Sequence, residues 1–240
     1  MKGSRAIVTG ASSGIGRALS IALAEAGGQV VALARRREKL EELEKVAIAG
    51  DGRIESVVCD VSDVAGVEQA ISDAVNRLGG LDILVNNAGI GIVKGRIGRV
   101  PLDTWEDTIR TNVLGSYYCT HFAIPALLQS DHPRIINVGS GRRGVPMAGG
   151  SAYAVSKAAL WMFTQSLAQE YWKHGILVNE VIPGPTYTEM TGGSGETPVQ
   201  TFESERMKSS EEVAEYIMSI LEFGPDGPTG QSFSLLRRPL

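Results

Sequence analysis

Short runs of consecutive apolar residues alternate with helical patterning along the whole chain: AIVTG at 6–10, VVALA at 30–34, IESVV at 54–58, LDILV at 81–85, RIINV at 134–138, LVNEVI at 177–182 and SFSLL at 232–236. Several runs are β-branched and apolar on successive positions instead of on every second one. That is the pattern of strands covered on both faces of a parallel sheet. Helical candidates fill the intervals, among them 17–26, about 103–128 and the Ala-rich stretch that continues from Tyr153. The alternation predicts an α/β fold, a doubly wound parallel sheet with helices on both faces. No internal repeat and no linker rich in Pro, Gly and Ser divides the chain, so residues 1–240 are expected to form a single domain.

One segment departs from the alternation. Thr191 to Thr201 follows the sixth strand and carries Gly192, Gly193, Ser194 and Gly195, which remove backbone restraint. Ligands of open parallel sheets bind outside the carboxyl ends of the strands, where this loop emerges. Residues 185–210 are therefore expected to form a substrate lid; an ordinary surface loop is the other reading.

At 240 residues a sizeable core is available, with roughly 70–75% of the unfolded surface buried at this size. The 23 Lys plus Arg against 27 Asp plus Glu give no general electrostatic reason to expect nucleic acid or an anionic membrane as partner. Cys59 and Cys119 stand in apolar surroundings without CxxC spacing, which fits a reducing compartment and buried thiols. With no leader pattern and no apolar run of about 18 residues, the chain is expected to be cytoplasmic.

The candidate chemistry centres on Tyr153 and Lys157, four residues apart on a predicted helix and therefore on one face. A cation a few ångströms from a phenol favours the phenolate, so the pair is suited to moving a proton near neutral pH. Ser140 lies thirteen residues before Tyr153 and adds a hydroxyl. Together they suit a reaction in which a carbonyl oxygen gains a proton as its carbon gains a hydride. His121, His132 and His174 share no metal or triad spacing, and no metal is expected.

The turn Thr9-Gly10-Ala11-Ser12-Ser13-Gly14-Ile15-Gly16 follows the first strand and opens a helix. Small residues let the backbone approach a pyrophosphate, and the helix N-terminus offers free N–H groups to it. From Gln29 to Arg37 the chain has no acid, but Arg35, Arg36 and Arg37 stand at the end of the second strand. Arginine there suits a ribose 2′-phosphate, so Arg35 and NADP(H) are expected over NAD(H); a solvated basic turn paired with nearby glutamates is the alternative. Asp60 suits an adenine amino group or an N-cap, although Ser62 is the better cap candidate. Asn86-Asn87-Ala88-Gly89 ends the fourth strand and suits either close passage of a ligand or a plain turn.

Thr9 to Gly16, Asp60, Asn86 to Gly89, Asn112, Ser140, Tyr153, Lys157 and Pro183-Gly184 fall in the order and spacing of the short-chain dehydrogenases/reductases, and the chain resembles that family over nearly its whole length. The resemblance implies a Rossmann-type sheet of about seven strands, a nicotinamide cofactor, and a homotetramer or homodimer. It implies that Tyr153 is the general acid/base and that Lys157 lowers its pKa while holding the nicotinamide ribose. Ser140 would bind the substrate carbonyl, and Asn112 would fix a water that relays protons from Lys157. Cofactor contacts are implied for Gly10, Ser12, Ser13, Gly14, Ile15, Gly16, Asp60, Val61, Asn86, Ala88, Gly89, Pro183, Gly184, Thr186 and Thr188, besides Tyr153 and Lys157.

Three departures stand out. Relatives often carry two serines where this chain has Gly139-Ser140, and a Val or Ile where it has Thr186. The ending PTGQSFSLLRRPL also differs from the Asp-Gly-Gly type of many relatives, which affects the subunit contact expected there. The expected activity is NADPH-dependent reduction of a small-molecule ketone or aldehyde to the alcohol. The alternatives are an oxidative NAD-dependent alcohol dehydrogenase and a non-catalytic dinucleotide sensor. Arg142 and Arg143 after Ser140 suit an anionic substrate such as a 3-oxoacyl thioester on phosphopantetheine, or are simply solvated.

Overall fold

Strands β1 (Arg5–Thr9), β2 (Gln29–Ala34), β3 (Arg53–Val58), β4 (Ile83–Asn86), β5 (Arg134–Val138), β6 (Leu177–Ile182) and β7 (Ser232–Ser234) form one seven-stranded sheet in the order β3-β2-β1-β4-β5-β6-β7. Every pairing is parallel, with Ile7 opposite Leu84, Asn137 opposite Glu180 and Val138 opposite Val181. The structure, a computed structural model, describes residues 1–46, 48, 50–91, 93–192 and 206–236.

Successive strand residues supply opposite faces, which is why the apolar runs do not alternate. Val8, Ala32, Val85 and Val181 pack with Leu19 and Leu23 of α1 (Gly14–Glu25) and Ile217 of α7 (Ser210–Leu221). Ile7, Val31, Leu84, Ile135 and Val178 pack on the other face with Ile71 of α3 (Val64–Leu78), Leu127 of α5 (Gly115–Leu127) and Leu167 of α6 (Ser151–Tyr171). Each fully buried Leu or Ile stabilises the fold by about 1.5–3 kcal/mol relative to exposure. Helix α2 (Arg37–Glu44) adds Leu40 and Leu43 to the first face.

Three sequence expectations are corrected. The helix predicted over about 103–128 is two helices, α4 (Leu102–Ile109) and α5, joined by a π-helical turn at Arg110–Leu114. The first helix opens at Gly14, so the glycine turn itself forms its first residues. The last strand ends at Ser234, although Leu235 still donates its N–H to Ile182 O at 3.0 Å. Half of the predicted lid, residues 193–205, lies outside the described residues. Its flanks include a short 3₁₀ turn at Glu189–Thr191 and a parallel bridge between Thr186 and Lys208.

Candidate functional site

The carboxyl ends of β1, β4, β5 and β6 bring the predicted residues to one edge of the sheet. Gly10 and Gly14 have φ of +66° and +53°, a region that L side chains disfavour. Gly16 has an ordinary φ, but a β-carbon there would meet Asn87 Nδ2 at 2.5 Å and Gly10 O at 2.6 Å. The glycine turn is thus pressed against the end of β4. Thr9 Oγ1 accepts from Asn87 N and Ala88 N at 3.0 Å each, and Asn87 Nδ2 donates to Thr9 O at 2.9 Å.

The amide side chain that meets the glycine turn is therefore that of Asn87, which the sequence reading did not select. Asn86 is buried and faces away, donating to Thr120 Oγ1 at 3.0 Å and Asn137 Oδ1 at 2.9 Å. Asn137 Nδ2 continues the line to Thr164 Oγ1 of α6 at 2.8 Å. Side-chain alternation along a strand decides this exchange, since adjacent residues point to opposite faces.

Ser13 caps α1 by position, with extended φ and ψ, yet makes no side-chain bond to the first helical turn. Its hydroxyl instead accepts from Arg36 Nη2 at 2.8 Å, and Ser12 Oγ accepts from Arg36 Nη2 at 2.9 Å and Nε at 3.2 Å. Arg36 Nη1 also donates to Glu189 Oε2 at 2.7 Å, linking the β2–α2 turn to the segment after β6. An α1 N-terminus without a side-chain cap, glycines that admit a ligand and a guanidinium beside them fit the phosphates of a dinucleotide. Arg35, singled out from the sequence, is 67% exposed in its side chain and lies 3.8 Å from Asp60 Oδ2. The pair Arg35 and Arg36 thus flank the turn, with Arg36 in contact with it.

Asp60 is not an N-cap, and neither is Ser62. The cap position of α3 is Asp63, and Asp60 Oδ1 accepts from Ser62 N at 2.9 Å and Ser62 Oγ at 2.8 Å. Val61 is buried against Gly115, where a β-carbon would meet Val61 Cγ2 at 2.7 Å. Gly89 lies beside Asn112 Oδ1, which would be 3.2 Å from a β-carbon there.

Asn112 sits within the π turn, where the wider helical step redirects a side chain. Its Oδ1 accepts from Ile90 N at 2.7 Å, and its Nδ2 donates to Ile90 O and to Ser156 Oγ, each at 3.0 Å. Ser156 Oγ donates in turn to Tyr153 O at 2.8 Å. The side chain of Asn112 therefore pins the loop after β4 to the helix that carries Tyr153, without reaching Lys157 itself.

Lys157 is buried, donates through Nζ to Val138 O at 2.8 Å, and lies 5.8 Å from the centroid of the Tyr153 ring. Burial pulls its ammonium down to about 8, opposed by the charge of Glu180. The Tyr153 phenol is pushed up by burial, with Ser140 and the charge of Arg142 pulling the other way. The sequence expectation of a phenol lowered by its lysine neighbour is corrected: burial raises it, and the groups that pull it down are Ser140 and Arg142.

Ser140 caps the short turn Gly141–Arg143, its Oγ accepting from Arg142 N at 3.2 Å. Behind it, Arg143 Nε lies 3.1 Å from Glu180 Oε2, and its guanidinium carbon is 4.8 Å from the Trp161 ring centroid. Arg143 is accordingly neither a solvated arginine nor free for an anionic substrate. Glu180 is an apolar strand's one carboxylate, buried between β5 and β7, and sequence reasoning passed over it; the charge within LVNEVI is the signal that marks it.

The segment after β6 returns to the glycine turn. Thr186 Oγ1 donates to Gly184 O at 3.2 Å, and Thr188 Cγ2 would lie 3.0 Å from a β-carbon on Gly14. Residue Leu236 backs onto Gly141, where a β-carbon would meet Leu236 Cδ1 at 2.7 Å.

Residues 4–198 match the sequence profile described as short chain dehydrogenase. A 3-oxoacyl-[acyl-carrier-protein] reductase FabG of Thermotoga maritima is 32% identical over 237 residues, which cover 96% of this chain and 95% of that protein. The protein of the same name from Staphylococcus aureus is 37% identical over 188 residues, 78% of this chain and 76% of its own. Among solved structures, a short chain dehydrogenase from Burkholderia cenocepacia J2315 in complex with NADP is 31% identical, covers 97% of this chain and 96% of that one, and superposes with a TM-score of 0.86.

Proposed function

The chain belongs to the short-chain dehydrogenase family of oxidoreductases, and we propose that it is an NADPH-dependent reductase of ketones or aldehydes. The observation that carries this reading is the convergence at one sheet edge of a half-buried Tyr153, the Lys157 ammonium 5.8 Å from its ring and a Ser140 hydroxyl acting on its phenol. When bound, the dinucleotide supplies the hydride. Gly10, Ser12, Ser13, Gly14, Ile15 and Gly16 hold its phosphates, with Asp60, Val61, Ala88, Gly89, Pro183, Gly184, Thr186 and Thr188 lining the rest of its path. The backbone of Asn86 belongs to the same group, its side chain being engaged elsewhere.

Tyr153 donates its phenolic proton to the carbonyl oxygen of the substrate. Ser140 donates a hydrogen bond to the same oxygen, a contribution of roughly 2.7–4 kcal/mol for a preorganised donor. Lys157 stabilises the phenolate left on Tyr153 and holds the nicotinamide ribose. Asn112, locked between Ile90 and Ser156, keeps the Tyr153 helix at the mouth of the site and would fix the water that relays protons from Lys157.

The preference for NADPH is supported by Arg36 on the glycine-turn serines, by Arg35 beside it, and by the lack of an acid from Gln29 to Arg37. A 3-oxoacyl thioester is the first substrate class to try, since two relatives carry 3-oxoacyl-[acyl-carrier-protein] reductase names. Exposed Leu114, Tyr117 and Met162 on the α5 and α6 side support assembly into two or four copies. Free, buried Cys59 and Cys119 suit the reducing cytoplasm.

The test is NADPH oxidation by the purified protein against acyl thioesters, sugars and cyclic ketones, beside Tyr153→Phe and Ser140→Ala. Turnover that depends on both residues is expected. Near-parental turnover in both variants would sink the mechanism, and NADPH binding without reduction of any carbonyl would leave a nucleotide sensor.

A further inference from the structure

Glu180 stands in the middle of β6 with 0% exposure, on the sheet face shared with Val178, whereas its neighbour Val181 faces the other core. A buried carboxylate is costly unless it is paired and hydrogen-bonded. Its Oε2 accepts from Ser232 Oγ of β7 at 2.6 Å and pairs with Arg143 Nε at 3.1 Å, while its Oε1 has no hydrogen-bond partner among the described residues. Gly139, adjacent to Ser140, leaves the space that the carboxylate fills. From α6, Lys157 adds its charge, and Trp161 covers the other side of Arg143. The Ser140 turn and the last strand therefore meet at this carboxylate, and Lys157 holds the backbone of Val138, one residue before the Gly139 against which the carboxylate packs.

We infer that Glu180 is a positioning residue of this site, the counter-charge of Lys157 and, through Arg143, the anchor of the turn that presents Ser140. The inference rests on the reading of Ser140, Tyr153 and Lys157 as the reducing machinery. The geometry joins Lys157 and Glu180 at one stretch of backbone: Lys157 Nζ donates to Val138 O at 2.8 Å, and the Glu180 carboxylate lies against the adjacent Gly139. Among the described residues, the charges that act on Glu180 are those of Arg143 from the Ser140 turn and Lys157 from α6, while β5 offers the neutral Asn137 and β7 the neutral Ser232.

The sign of the effect follows from burial. Lys157 is already held down to about 8 by desolvation, and the Glu180 charge works against that. Removing the carboxylate makes the ammonium harder to keep, so Lys157 loses its proton at lower pH. In the reductive direction, activity falls as the essential acid and its lysine deprotonate, so the alkaline limb of the rate profile moves to lower pH.

The experiment compares the parental protein with Glu180→Gln, which keeps size and hydrogen bonding without charge, and Glu180→Asp, which keeps the charge. A Glu180→Ala/Gly139→Ser variant refills the space with a neutral hydroxyl if the glutamine does not fold. Two quantities are read: the pH profile of NADPH oxidation with the best carbonyl, and the titration of Lys157 in ¹³C-lysine-labelled protein, assigned with a Lys157→Ala sample. Both neutral variants are expected to lower the Lys157 midpoint by about one pH unit, with roughly tenfold lower turnover on the alkaline limb. Glu180→Asp is expected to stay near the parental midpoint. An unchanged Lys157 midpoint in the neutral variants, whatever their stability, overturns the inference. A parental protein that reduces no carbonyl counts against the proposed function alone, because the Lys157 titration still reads the coupling.

Discussion

Gly139 and Glu180 interlock across β5 and β6: any β-carbon on Gly139 would fall on the Glu180 carboxylate, so the glycine before Ser140 is the complement of a glutamate on the neighbouring strand. Gly139→Ala is expected to destabilise the parental protein by about 1–3 kcal/mol through overpacking, and to cost much less in a Glu180→Ala background. Urea unfolding of the two single variants and the double variant measures the coupling. Simple additivity would mean that the two positions relax independently.

Tyr153→Phe removes the proton donor while leaving the ring against Lys157. Turnover is expected to fall by about 10²- to 10⁴-fold with NADPH affinity nearly intact. Ser140→Ala should lose roughly 10²- to 10³-fold in kcat, chiefly on kcat because the developing oxyanion is what its hydroxyl serves. Steady-state kinetics with fluorescence titration of NADPH separates the two quantities.

Arg36 makes its contacts to Ser12 and Ser13 from within hydrogen-bond distance, whereas Arg35 does not touch them. Arg36→Ala is expected to lower kcat/KM for NADPH by about 10-fold or more, the scale of one or two charged hydrogen bonds, with little change for NADH. Arg35→Asp should lower the ratio of NADPH to NADH efficiency as well. An unchanged ratio in both would mean that the basic turn does not read the 2′-phosphate.

The depressed Lys157 ammonium predicts how stability moves with pH. Its folded value of about 8 lies below the ordinary 10.5, so the unfolded chain holds more protons between these limits. This group's contribution to stability therefore rises with pH from about 8 to 10.5, and its full cost is present below about 8. Lys157→Met should consequently be inactive, and its Tm relative to the parental protein should decline steadily across that window. Thermal melts from pH 7 to 10.5 follow it; a pH-independent difference would contradict the assignment.

What was legible in the sequence was local. Continuous apolar runs gave the central strands to within one or two residues, because both faces of β1, β4 and β5 are covered. The Tyr153 and Lys157 spacing and the glycine turn depend only on helix and turn geometry. What escaped depends on neighbours distant in sequence. Asn87 and Asn86 exchange roles because of which sheet face each meets, and the π turn that aims Asn112 has no composition signal of its own. Arg36 reaches the serines, and not Arg35, because of where β2 hands over to α2. Glu180 was overlooked because its partners, Arg143 and Ser232, lie 37 and 52 residues away.

The pairing of Asn137 with Glu180 also bears on how the chain finds its fold. Apolar strands buried on both sides are nearly interchangeable when they slide past one another, since hydrocarbon meets hydrocarbon in every alignment. A slide of β6 by one residue would turn the carboxylate into the opposite core, among Val8 and Val85. A slide by two would carry it away from Arg143. With Asn179, which donates to Pro228 O and accepts from Gln231 N, Glu180 is the address label by which β6 is delivered to its place.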